Sequence, residues 1–394
     1  MLGTAQTLGY ASTFYLPAML AEPMARDLGI GNAAVFAAFS LAMLLSALVG
    51  PSAGRLIDRH GGRGLLSLTS LGFALGLLAL ACAQGPWSLV AAWLLLGLGM
   101  GAGLYESAFA TLVWLYGRDA GRTITGITLL AGFASTVGWP LSAWMDAYFG
   151  WRGACVGWAL LHLGLGLPLN ALLPSTPPGT DGKPATSALA TQNGPPGNAP
   201  HEAPDESPRL ANPVRVIALL AFVFAAAWFC ATAMATHLPR LLQAGGATLA
   251  AAVAAGALVG PAQVAGRWLE FALQRRLHPL RSARVAAAGH PLGALLFGLA
   301  GATPLATGAF AVLHGLGNGI LTIAKGTLPL VYFGPAGYGR RQGWLMMPAR
   351  IAQAAAPWLF GLALDAWGRA ALALTAAIGL AAWIALLVLP RPPP

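Results

Sequence analysis

Glu106, Lys325 and Arg350 each stand inside an otherwise apolar stretch of the chain. A formal charge near the centre of a lipid bilayer costs several kcal/mol or more, so each of the three must face a partner or an aqueous cavity. Lys325 and Arg350 together make a cationic pocket suited to a carboxylate or another small anion, and the Arg fork can hold such a group through two hydrogen bonds. Glu106 then has one of two roles. It either carries a coupled proton or serves as the counter-ion of Lys325 when substrate is absent. The non-functional alternative is a permanent Glu106–Lys325 pair that only fixes the fold, although a buried pair is a poor source of net stability.

Other groups are candidates by position. Asn318 precedes Lys325 by seven residues, two helical turns, and so shares its face. Tyr105 and Trp344 are expected to shape the pocket, with Tyr10, Trp139 and Trp228 as further aromatic candidates. His314 reads as a lone packing residue, His237 and His290 as interfacial, and His162 as facing a neighbouring helix. Cys82, Cys155 and Cys230 are single and scattered, which implies neither a disulfide framework nor a metal site. The Gly-rich runs at 97–103 and 315–319 lack a following Lys-Ser/Thr, so they suit close helix packing and not a phosphate loop. One intramembrane carboxylate is too few for a catalytic cluster, so no enzyme is expected. No nucleotide motif or cofactor signature is present; the energy source is expected to be an ion gradient, most simply protons.

The elements that hold these residues are membrane helices. The 394 residues are 57% hydrophobic and 9% charged, far from the roughly one quarter charged residues of soluble domains. Twelve stretches approach the roughly 20 apolar residues that a span requires. They lie at about 2–25, 32–53, 64–84, 87–116, 123–146, 152–173, 214–239, 247–272, 285–301, 304–333, 343–366 and 370–389. Backbone groups exposed to lipid must be satisfied within the chain, and no barrel-type alternation is present, so the spans are helical. Each of the three membrane charges then lies roughly 10–15 Å from one membrane edge, at 1.5 Å per residue.

Net charge is +10. With both termini on the cytoplasmic side, 16 of the 22 Lys and Arg fall on that side, Arg55, Arg59, Arg63, Arg122 and Arg267 among them. Only Arg26, Arg152, Arg240 and Arg369 fall outside. That bias is the positive-inside rule, which excludes nucleic acid as the reason for the charge and points to a multi-pass protein of a bacterial-type inner membrane. The first span starts at Met1 with no basic segment before it, so no cleaved signal peptide is expected.

The chain reads as two parallel six-helix repeats. GLGMGAGLYESAFATLVWLYGRDAGR (97–122) lies without gaps on GLGNGILTIAKGTLPLVYFGPAGYGR (315–340), and AGRLID (53–58) matches AGRWLE (265–270). Residues 174–212, rich in Pro, Gly, Ser, Thr and Ala, read as a disordered cytoplasmic linker between bundles at 1–173 and 213–394.

Between the second and third spans sits GRLIDRHGGR (54–63). It resembles the loop motif of the major facilitator superfamily, with Gly54, Asp58, Arg59, Gly61 and Arg63 in every motif position. The segment from Tyr116 to Arg122 is similar to the monocarboxylate-transporter-like and oxalate/formate-antiporter-like branches. The resemblance implies an all-α membrane fold of twelve helices in which the first, fourth, seventh and tenth line a central cavity. It implies a conformational latch of Gly54, Asp58, Arg59, Gly61, Arg63 and Arg122, with Asp58 at the N-terminus of the eleventh span. It also implies a monomeric secondary carrier rocking about the site. The expected cargo is a small organic anion moved by proton symport or exchange; a drug or metabolite antiporter is the alternative, and a transport-like sensor a distant one.

Overall fold

A computed structural model describes residues 1–176, 212–273 and 276–391. Among these residues every regular element is helical. The twelve spans run over fifteen α-helices: α1 (Leu2–Ser12), α2 (Leu16–Asp27), α3 (Asn32–His60), α4 (Arg63–Ala81), α5 (Pro86–Gly103), α6 (Tyr105–Tyr116), α7 (Ala120–Ala131), α8 (Ala134–Leu161), α9 (Leu167–Ala171), α10 (Pro213–Ala244), α11 (Leu249–Leu273), α12 (Pro279–Ala300), α13 (Pro304–Phe333), α14 (Tyr338–Trp367) and α15 (Ala371–Val388). The first, fourth, fifth and sixth spans are interrupted, whereas the second, the third and the seventh to twelfth are one helix each. Leu48, Leu68, Leu299 and Leu305 are among the many large apolar side chains left on the outside, where lipid is their solvent. The segment expected to be a linker, 174–212, falls almost entirely outside the described residues.

Breaks or non-α-helical turns interrupt the first, fourth, fifth and sixth spans. The first span breaks between α1 and α2, where Pro17 sits in the first turn of α2. The fourth breaks at Leu104, which adopts extended backbone angles (φ −87°, ψ −162°) between α5 and α6. This break leaves carbonyls without a helical partner, and Gln6 Nε2 donates to Gly103 O at 2.8 Å. The fifth breaks at Gly132–Phe133, between α7 and α8. α8 then turns through Gly150, whose φ of +69° favours glycine, and so carries the chain from the fifth span into the sixth. A π-helical turn follows at His162–Gly166. Non-helical backbone is tolerated at membrane depth when protein surrounds it.

Glycines set how closely the spans approach. Along α5, a Cβ on Gly97 would stand 2.6 Å from Ala42 O and one on Gly101 2.7 Å from Ser46 O, so α5 lies directly on the backbone of α3. α3 also runs against α14 in an antiparallel seam. Ser46 meets Arg350, Pro51 meets Gly343, and Gly54 meets Gly339, one contact about every turn. A Cβ on Gly54 would overlap the Gly339 backbone. On the second half, Arg284 donates to Leu386 O at 2.9 Å and to Leu387 O and Leu389 O at 3.2 Å, which caps the end of α15.

This seam generates a test. Gly54→Ala and Gly343→Ala should each destabilise the detergent-solubilised protein by about 1–3 kcal/mol through overpacking, read as a lower melting midpoint. Gly64→Ala, where a Cβ would meet nothing within 4 Å, should leave the midpoint unchanged. Equal midpoints for all three variants would contradict the close seam.

Candidate functional site

The break at Leu104 places Glu106 in the first turn of α6, where backbone N–H groups have no helical acceptor and the helix dipole favours an anion. Opposite it, Lys325 projects from the middle of α13. Pro329 stands four residues on and has no N–H, so the Lys325 carbonyl lacks its normal helical donor. Gln342 Nε2 supplies one at 2.9 Å, and Tyr338 Oη donates to the next carbonyl, Gly326 O, at 2.7 Å. These bonds tie α14 to α13 beside the site. Arg350 comes from α14, two residues after Pro348.

The three charges form one bridged cluster across the two halves. Glu106 Oε1 lies 3.3 Å from Lys325 Nζ, and Glu106 Oε2 lies 2.5 Å from Arg350 Nη2. The second arm of Arg350 donates to Ser46 Oγ at 2.9 Å, and Ser46 in turn donates to Met43 O at 2.8 Å. Lys325 Nζ also sits in an aromatic box, 4.4 Å from the Trp228 ring centre, 4.9 Å from Tyr105 and 6.0 Å from Phe109. Glu106, Lys325 and Arg350 are 8%, 2% and 7% exposed. With all three ionised the cluster carries a net positive charge, and both cations come from the second half.

Beyond the cluster, the way to the Asp58 end of the bundle is filled. Ile57, Phe109, Ile124, Leu330 and Tyr338 pack there in one apolar layer drawn from both halves. At that end Asp58 accepts from Gly339 N at 2.7 Å through Oδ1 and from Arg340 N at 2.8 Å through Oδ2. A carboxylate on two free N–H groups at the start of α14 is a helix-terminus anion contact. Gly61 ends α3 with a φ of +77°, and Arg59 and Arg63 are exposed beside it. Arg122 lies over Phe271 at 5.6 Å, beside a cavity of about 640 Å³ that Trp268 and Arg118 also border.

Tyr105 joins the cluster: it is 4% exposed, stacks on Phe109 and lies 4.5 Å from Tyr10 between ring centres. Two expected pocket residues do not. Trp344 is 52% exposed on the outer side of α14, because six residues before Arg350 is about a third of a turn round the helix from its face. Asn318 shares the Lys325 face but sits about 10 Å up the helix, where it borders a separate small cavity with Cys230, His290 and His314. His290 is correspondingly not interfacial; it is buried and paired with His314. His162 does face a neighbouring helix, with Nε2 2.7 Å from Ser12 Oγ.

A further buried cation was hidden by its place in the sequence. Arg267 lies near the end of α11, in the stretch that repeats the loop motif, and was expected on the cytoplasmic side. It is 6% exposed, its Nε has no hydrogen-bond partner among the described residues, and Nη1 reaches Thr128 O at 3.4 Å, close to the break in the fifth span. Glu270, one turn on, is 5% exposed. Depth along a span differs from burial: where two halves close on each other, the end of a helix is covered as fully as its middle.

A family model described as the Major Facilitator Superfamily matches residues 2–324. The chain belongs to the major facilitator superfamily. Among curated proteins, it is 32% identical over 155 residues to an uncharacterized 38 kDa protein in a 23S RNA operon of Thermoproteus tenax, a match covering 39% of this chain and 40% of that protein. It is 31% identical over 150 residues to a gallate transporter of Pseudomonas putida, covering 38% and 33%. These matches thus span well under half the length of either relative. Among solved structures, the human organic anion transporter MFSD10 superposes with a TM-score of 0.67 at 18% identity, covering 98% of this chain and 97% of that one. The proton:xylose symporter XylE superposes with a TM-score of 0.72 at 14% identity, covering 97% and 92%. At those identities the likeness establishes a shared superfamily fold and carries no substrate.

The carbonyl that Pro329 frees gives a direct test of how the site is held. Gln342→Leu leaves the Lys325 carbonyl buried without that donor and should cost about 1–3 kcal/mol, measured by thermal unfolding. Gln342→Glu should cost at least as much, since an ionised carboxylate offers no donor. A melting midpoint unchanged in both variants would remove Gln342 from the site's support.

Proposed function

We propose that this superfamily member is a secondary active carrier of a small organic anion, alternating access about the Glu106–Lys325–Arg350 cluster. The observation that carries this reading is the bridged carboxylate: one acidic group of the first half is held by two cations of the second. An incoming carboxylate offers Arg350 and Lys325 the same chemistry as Glu106 and competes for them. When it wins, Glu106 loses both counter-ions in a buried setting, and taking up a proton is the simplest way for it to remain there. Substrate binding and protonation are then coupled, by symport or by exchange. Tyr105, Phe109 and Trp228 give the same pocket apolar walls for the body of the anion. The partial match to the gallate transporter of P. putida makes an anionic cargo the natural first choice.

The rocking bodies in this reading are residues 1–173 and 213–394, joined by 174–212. The Asp58 contact holds the bundle shut at the face that carries most of the Arg residues. By the positive-inside rule that face is cytoplasmic, in a bacterial-type inner membrane, so the described state is closed towards the cytoplasm with both termini on that side. Protons and the lipid bilayer are its other partners, and a single chain suffices to form the site.

Uptake of labelled gallate and of smaller monocarboxylates into proteoliposomes with an imposed pH gradient tests the reading. Wild type should accumulate at least one of these anions. Arg350→Lys and Lys325→Ala should each raise the half-saturation concentration about 10-fold or more, as expected for the loss of a charge-assisted contact. Glu106→Gln should lose pH-driven accumulation but keep counterflow exchange. Accumulation by Glu106→Gln at the wild-type level would remove Glu106 as proton carrier, and unchanged anion affinity in both cation variants would remove the pocket.

A further inference from the structure

His290 on α12 and His314 on α13 meet inside the second half, away from the ion cluster. Their Nδ1 atoms are 3.0 Å apart and the rings stand edge to face with centres 4.9 Å apart. They are 8% and 4% exposed. Two neutral imidazoles in this contact must be in opposite tautomers, since one Nδ1 donates and the other accepts. The donating ring therefore has a bare Nε2, and the accepting ring carries its proton on Nε2.

One of those outer nitrogens is left over. His290 Nε2 is buried with no hydrogen-bond partner among the described residues. Both rings border a cavity of about 30 Å³ with Asn318 and Cys230, on walls that are otherwise small and apolar. That is room for about one water molecule, and polar groups are present to hold it. Phe310 lies 5.6 Å from the His290 ring and 6.2 Å from the His314 ring, centre to centre. Gly379 lets α15 close over the pair, since a Cβ there would stand 3.2 Å from the His290 ring. The titratable groups facing the pair are few. From α10 there is Cys230, whose Sγ donates to Thr375 O, and α15 lines the cavity only with Gly379 and Ala382. Further along α13, Lys325 is eleven residues, about 16 Å, away.

We propose that His290 and His314 form a single proton-binding site of the second half, separate from Glu106. A proton delivered by hydronium through the cavity water adds to the bare Nε2 of the ring whose Nδ1 donates, and neutral water is left behind. That ring becomes an imidazolium, and its Nδ1–H bond to the partner becomes charge-assisted. One O–H bond of hydronium breaks as one N–H bond forms, and the pair gains one proton and one positive charge. A second proton would leave an N–H on each Nδ1, facing each other at 3.0 Å on two cations, so the site takes one proton and not two. The face of Phe310 and the cavity water offset part of the cost of burying the charge. The proton is accordingly held when the cavity is hydrated and given up when the surrounding helices pack dry. His314, Asn318 and Lys325 recur on one face of α13 at intervals of four and seven residues, so a charge change at the pair acts on the helix that carries Lys325. The inference does not depend on which anion the central cluster takes.

The test uses the full-length protein in lipid nanodiscs with ¹⁵N-labelled histidine, followed by imidazole nitrogen resonance as pH is lowered from about 8 to about 4.5, the range around the ordinary imidazole transition. The His290 and His314 signals should shift together at one midpoint, with one proton taken up by the two rings. Glu106→Gln should leave that shared transition in place. In His290→Asn, His314 should lose the wild-type midpoint and titrate alone or not at all; if that variant does not fold, the wild-type and Glu106→Gln titrations decide. Two rings that stay neutral throughout, two separate midpoints with a proton each, or a transition that disappears in Glu106→Gln would each overturn the proposal.

Discussion

A carboxylate sealed between two helix bundles has to be balanced by charge from the other side, and Glu106 meets that constraint through Lys325 and Arg350. The rest of the centre follows from this contact. α6 must begin just before Glu106 so that the carboxylate sits in the first turn of a helix, and the break at Leu104 provides that start. The break exposes Gly103 O, which Gln6 satisfies. On the other side, Pro329 frees the Lys325 carbonyl, and Gln342 takes it up. Each departure from helical regularity near the site is thus matched by one hydrogen bond from a different span, as the low dielectric of the interior demands.

The contact also unites opposing needs. A permanent seam between the halves would be better made of apolar side chains, because burying ions carries a large desolvation cost. The seam between α3 and α14 meets that description: glycines and Pro51 bring the two backbones together, and Asp58 closes it at the helix end. The charged centre is different in kind. It is held by charge-assisted bonds from Lys325 and Arg350, next to the aromatic walls of Tyr105, Phe109 and Trp228. The seam and the charged centre are thus built from different residue types.

Much of this was legible in the chain itself. The apolar stretches reported the spans because lipid permits few other uses for them. The three membrane charges were legible for the same reason, and Asp58 because a loop motif with fixed spacing surrounds it. Span ends were less so: α12 and α14 begin several residues before the apolar stretches, at Pro279 and Tyr338, since Arg side chains in those turns can reach water or helix ends while their stems stay against the bundle.

What the sequence determined alone is the number of spans, their division into two repeats and the identity of the charges that lipid cannot hold. What only the tertiary structure decided is which of those groups meet. Glu106 bridges both cations and not Lys325 alone; Asn318 and Trp344 stand apart from them; Arg267 is buried; and His290 and His314, twenty-four residues apart, share one hydrogen bond. The physical reason is that periodicity fixes the direction of a side chain about its own helix, whereas its partner depends on how closely and at what height a second helix approaches. Here that height is set by glycine contacts between backbones, which leave no pattern in the polar residues they align.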